Sequence, residues 1–76
     1  MLDETARKLF RMFYALYRFE SAHIDMDRLA RLTGRSKLRI ATAIRALEEK
    51  QYITWNERAG AIRVMTPAER NLKEAN

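Results

Sequence analysis

Between Arg28 and Leu47 the chain has no acidic residue, and it carries Arg28, Arg31, Arg35, Lys37, Arg39 and Arg45. A guanidinium stays charged at any biological pH. Its paired donors match a phosphate, or the edge of a guanine, in bidentate fashion. Cations of one sign in one short stretch are suited to meeting a polyanion. Arg58 and Arg63 add two more on either side of Gly60.

Other chemistry has little to draw on. The chain has no cysteine, so neither disulfides nor zinc thiolates are possible. His23 is the only histidine and lies in a connector, where a structural or solvent-exposed role is expected. Asp25 and Asp27 stand together at a helix start and read as capping residues rather than as an acid/base pair. Glu48 and Glu49 are adjacent, which places them about 100° apart on a helix. There is no glycine-rich phosphate loop, and nothing resembles a nucleophile beside a base. The expectation is a protein without enzymatic activity, cofactor, metal site or evident small-molecule ligand.

The 76 residues amount to one small domain with a formal net charge of +5. A domain this size buries only about 60% of its unfolded surface, so its core is marginal. Dimerisation is one way to add buried area. No apolar run approaches the roughly 20 residues of a membrane span. Arg7, Lys8 and Arg11 interrupt any signal-peptide core, so a cytoplasmic, nucleoid-associated location is expected.

These side chains must be held by helices and a hairpin. The spacing of Leu2, Ala6, Leu9, Phe13 and Leu16 predicts a first helix over residues 1–20, with Asp3 as its N-cap. Its apolar stripe is wide. Phe10, Phe13, Tyr14 and Tyr17 are candidates for a dimer interface, and the alternative is that the rings pack on the hairpin and last helix. Residues 21–24 connect, with Ile24 as a one- or two-residue strand. Asp25 caps a second helix, 25–33, with Met26, Leu29, Ala30 and Leu32 inward and Gly34 ending it. Ser36 caps a third helix, 36–50, whose inner side is Ile40, Ala43, Ile44 and Leu47. Gln51 sits where such a helix most often has glycine, at a cost of order 1 kcal/mol if its backbone is left-handed.

Residues 53–65 read as a two-stranded hairpin with a turn at Arg58-Ala59-Gly60. Trp55 packs in the hairpin or on the first helix, and Arg63 is placed to pair with Glu57 across it. Thr66-Pro67-Ala68-Glu69 opens a last helix, 66–75, with a capping box and Leu72 as its apolar anchor.

This order resembles the winged helix-turn-helix family of prokaryotic transcription regulators. Leu29-Ala30-Arg31-Leu32-Thr33-Gly34-Arg35-Ser36 looks like that family's second helix and turn. Ile40, Ile44 and Leu47 fall where its recognition helix has buried aliphatics. Leu47 through Ile53 resembles the run into its first wing strand, and Met65 through Glu69 its wing exit. The likeness covers nearly the whole chain, with Gln51 as a departure and with no separate effector domain.

The resemblance implies an α+β, mainly α fold: a three-helix core, a two-stranded β-hairpin wing and a short C-terminal helix, forming one domain over 1–76. It also implies sequence-specific binding of double-stranded DNA. Ser36, Lys37, Arg39 and Thr42 would then lie in the major groove. Arg28, Arg35 and Arg45 would meet the backbone, and Arg58 and Arg63 the adjacent minor groove or phosphates. A homodimer through helix 1 and the C-terminal helix is the expected assembly. Two other readings stand beside it: a protein–protein interaction module, and a DNA-binding protein without sequence preference, serving replication, chromatin or plasmid maintenance.

Overall fold

The computed structural model describes residues 2–74, with side chains over 2–70. It is an α+β fold, mainly helical, with four helices and a small antiparallel sheet of three strands.

Helix α1, Glu4–Tyr17, starts where expected: the Asp3 carboxylate accepts the Ala6 amide at 2.8 Å. It stops earlier than expected, because Arg18 turns to φ 53°, ψ −121°. The Glu20 amide then donates to the Tyr17 carbonyl at 3.0 Å, closing a tight turn whose first corner normally favours glycine. Leu16, in the last turn of the helix, is exposed, although its spacing assigned it to the inner face. Thr5, Ala6, Leu9 and Phe13 form the buried stripe.

Strand β1, Ala22–His23, corrects the two-stranded hairpin. It pairs antiparallel with β3, Ala61–Val64, in the register Ala22↔Ile62 and His23↔Ala61. The strand precedes Ile24, whose amide only caps the pairing by donating to the Gly60 carbonyl at 2.8 Å. With β2, Ile53–Asn56, on the other side of β3, the sheet order is β1-β3-β2. Opposed pairs share a face, so Ile53↔Val64 and Trp55↔Ile62 look inward while Thr54↔Arg63 look outward.

Helix α2, Met26–Thr33, is capped by Asp25, whose carboxylate accepts the Asp27 and Arg28 amides at 3.0 and 3.3 Å. It buries Leu29 and Thr33. Leu32, expected inside, is exposed. The Thr33 hydroxyl is accommodated because it donates to the Leu29 carbonyl at 2.7 Å. Gly34 ends the helix at φ 70°.

Helix α3, Lys37–Glu49, is capped by Ser36 and buries Ile40, Ala43, Ile44 and Leu47, the four residues its periodicity assigns to the core. Gln51 does take the left-handed backbone, at φ 64°. Gln51→Gly should therefore stabilise the fold by about 0.5–1 kcal/mol. Urea unfolding would read this as a higher midpoint at unchanged slope.

Helix α4, Pro67–Glu74, begins with the expected capping box. The Glu69 amide donates to Thr66 Oγ1 at 3.2 Å, and the Thr66 amide to Glu69 Oε1 at 3.1 Å. The side chain of Leu72 lies outside the described residues.

The same Glu69 corrects the expected Arg63–Glu57 pair. Arg63 stands opposite Thr54, not Glu57, and reaches instead across to the helix start. There its guanidinium donates to both Glu69 oxygens at 2.8 and 2.6 Å. That hydrogen bond, followed by the Thr66 amide, holds the Glu69 pKa down from 4.5 to about 2. A carboxylate with a lowered folded pKa adds stability above its ordinary value and loses it as pH falls towards the lowered one. Wild type should therefore lose thermal stability more steeply than Glu69→Gln between pH 4.5 and about 2.

The core joins Ala6, Leu9 and Phe13 of α1, Leu29 of α2, the inner stripe of α3 and Ile53, Ile62 and Val64 of the sheet. Helix α1 packs on α3 and β3, leaving the opposite side of α3 uncovered.

Candidate nucleic-acid interface

Helix α3 sets the geometry. Its buried stripe centres on Ile40 and Ile44, and residues about 200° from Ile40 face directly outward. Leu38 and Thr42 fall there, with Arg45 about 140° and Arg39 about 100° from Ile40 on the two flanks; Lys37, about 60° from Ile40, is exposed at the start of the helix on the α2 side. All five are exposed, as is Ser36. The first turn of α3 carries no acid, and the Ser36 hydroxyl accepts the Arg39 amide at 3.2 Å. The structure thus brings Ser36, Arg39 and Thr42 together around Leu38, while Lys37 turns towards Asp27 of α2 and Arg45 towards Glu57; Arg35 is exposed in the turn before the helix.

The cations differ in what already holds them. Among the described residues no ion pair holds Arg28, Arg35, Arg39 or Arg58, all exposed. Lys37 Nζ lies 3.0 Å from Asp27 on α2. Both groups are mostly exposed, and a pair of that kind contributes at most about 1 kcal/mol, so a phosphate can compete for the lysine. Arg45 is more constrained. It donates to Glu57 at 3.1 Å and its guanidinium lies 5.9 Å from the centre of the Trp55 ring. This contact ties α3 to β2 and the turn that carries Arg58. Trp55 is thus half-buried on the sheet face towards the core.

Arg63 stands apart from this set. It is half-buried and its donors are engaged by Glu69, so it joins the sheet to α4. His23 is exposed on β1.

The aromatic candidates on α1 also separate. Phe13 is fully buried and cannot form part of an interface between copies; its ring is a central piece of the core. Phe10 is half-buried against Tyr52, with ring centres 5.2 Å apart. Tyr17 is half-buried and stacks on Phe13 at 6.4 Å. Tyr14 remains exposed, edge-on to Phe19 at 5.6 Å and beneath the Arg18 guanidinium at 5.0 Å. On the α4 side, Arg70 lies 4.2 Å from the centre of the Tyr52 ring.

Sequence reasoning passed over Leu38, although its angle from Ile40 was readable and placed it on the basic face. It also passed over the exposure of Leu16 and Leu32, which line one hollow on the α2 side, while Tyr14 and Phe19 line another beside α4. Among the described residues no group of His, Asp or Glu is arranged to hold a metal ion, and no helix is long and apolar enough to cross a membrane.

Comparison with protein-family models, with curated proteins and with solved structures gave no match.

Proposed function

We propose that this chain is a winged helix-turn-helix domain that binds double-stranded DNA with sequence preference and acts as a small transcriptional regulator. Helix α3 would enter the major groove, which admits one α-helix. The β2–β3 turn would serve as the wing and bring Arg58 to the adjacent phosphates. The observation that carries this reading is the outward side of α3: exposed Arg39, Thr42 and Arg45, with an acid-free first turn in which Lys37 is also exposed and Arg35 in the turn before it. The element order α1-β1-α2-α3-β2-β3 supports the fold assignment.

Two copies would present their α3 helices to half-sites about one helical turn apart. The contact would centre on Tyr14 and Phe19, with Phe10 and Tyr17 at its margin and without Phe13. A monomer by sedimentation equilibrium at high micromolar concentration would remove this part of the proposal.

A titration by fluorescence anisotropy tests DNA binding itself, using a random-sequence duplex pool at two salt concentrations with wild type and Arg39→Glu. Salt-sensitive binding that Arg39→Glu abolishes supports docking through α3. Absence of binding at low salt contradicts it. Equal affinity for all sequences, with steep salt dependence, would instead mark a non-specific DNA-binding protein.

The exposed Tyr14 and Phe19, packed edge to face beside half-buried Phe10, favour a second reading, a protein–protein interaction module. Charge reversal on α3 would leave that pairing intact.

A further inference from the structure

Leu38 is 78% exposed, the most exposed of the large apolar side chains on this surface. It stands among Ser36, Arg39 and Thr42, which with Asp3 line a shallow hollow of about 340 Å³. We propose that Leu38 is a specificity residue that reads thymine in the major groove by packing on the 5-methyl group. This inference rests on the proposed docking of α3 in that groove.

Three observations lead to it. The first is position: Leu38 lies about 200° from the buried Ile40, in the middle of the outward face rather than at its edge. A helix laid in the groove with Ile40 towards the core turns Leu38 towards the bases.

The second is chemistry. The only apolar group on the major-groove edge of a base pair is the thymine methyl, and an aliphatic side chain is its natural partner. A cation on a phosphate reads no sequence and a guanidinium on a base edge favours guanine, so the apolar contact adds a discrimination for thymine that neither supplies. Asp3, whose carboxylate accepts the Ala6 amide at 2.8 Å, also lines the hollow, so an acidic side chain stands where a phosphate would have to sit.

The third concerns Thr42, the other residue at the centre of the face. Its hydroxyl donates to the Leu38 carbonyl at 3.0 Å, so its proton is spent within the helix. A polar readout by Thr42 is weakened accordingly, and Leu38 stands ahead of it towards the start of the helix.

The experiment separates the methyl from every other feature of the base. A duplex enriched from a random pool by the wild-type protein is prepared in two forms, with thymine and with deoxyuridine at each thymine position in turn. Affinities are measured by anisotropy for wild type and Leu38→Ala, with circular dichroism to check the fold. Because Leu38 is exposed, Leu38→Ala should melt as wild type does. Loss of one buried methyl corresponds to about a fourfold change in affinity. Wild type should weaken about fourfold at one or two deoxyuridine positions, and Leu38→Ala should show no such step. Binding in which no position depends on the methyl, or in which Leu38→Ala keeps the full step, overturns the inference while leaving DNA binding in place. Failure of wild type to bind any duplex at low salt overturns both.

Discussion

Phe13→Ala should destabilise the protein by about 3–5 kcal/mol, the range for emptying a fully buried phenylalanine site. The ring is completely buried between α1 and the rest of the core, and Tyr17 stacks on it. Neighbouring Leu9, Ile40, Ile44 and Val64 are themselves fully buried and already packed, so the cavity has little freedom to close. A 76-residue domain has a total stability of roughly 4–11 kcal/mol. The loss is therefore a large part of the whole, and the melting temperature should fall by about 15 °C or more. Thermal melting followed by circular dichroism checks this. The same measurement separates two roles for the residue. Were Phe13 an interface ring, its removal would dissociate copies and leave the monomer's fold intact. Tyr14→Ala, at an exposed site, should shift the melting point only slightly.

Arg39→Glu should reduce affinity for duplex DNA by at least about 30-fold while leaving the fold unchanged. A lost arginine contact to a base edge or phosphate costs about 1–3 kcal/mol, and the new carboxylate adds repulsion from the phosphates. The fold should not respond, because no ion pair holds Arg39 among the described residues and its side chain is exposed. Surface changes of this kind lie within about 0.5 kcal/mol. If four to six of the cations Arg28, Arg35, Lys37, Arg39, Arg45 and Arg58 meet phosphates, the logarithm of affinity should fall with the logarithm of salt at a slope of about −4 to −5. Arg58→Glu should lower affinity across all sequences and make that slope shallower by about one.

Much of the frame was legible because its signals are local. Asp3, Asp25, Ser36 and Thr66 cap helices wherever they occur with free amides, and each does so here. The stripe Ile40, Ala43, Ile44 and Leu47 has one helical interpretation and no competing one. Gln51 was readable as a left-handed position because the helix had to end before Ile53. β1 was legible only in part: a one- or two-residue strand was expected at Ile24, but two residues carry no alternation to fix its place, and the strand is Ala22–His23, set by the free edge of β3. The end of α1 was missed because Arg18, not glycine, takes the positive φ. The partner of Arg63 depended on strand register and on the capping box together, and neither alone points to Glu69. Within the candidate site, the positions of the cations followed from helix periodicity. Which of them are already paired did not, since Asp27 and Glu57 reach Lys37 and Arg45 from other elements.

The central claim is that the outward face of α3 docks on DNA. Amide chemical-shift mapping of the isotope-labelled protein during titration with a short duplex tests it most directly. The account predicts that the largest shifts fall on Arg35 through Arg45 and around Arg58, and that Tyr14, Leu16 and Phe19 move little. Saturable shifts centred on Tyr14, Leu16 and Phe19 with α3 unmoved, or no shifts at low salt, would contradict it.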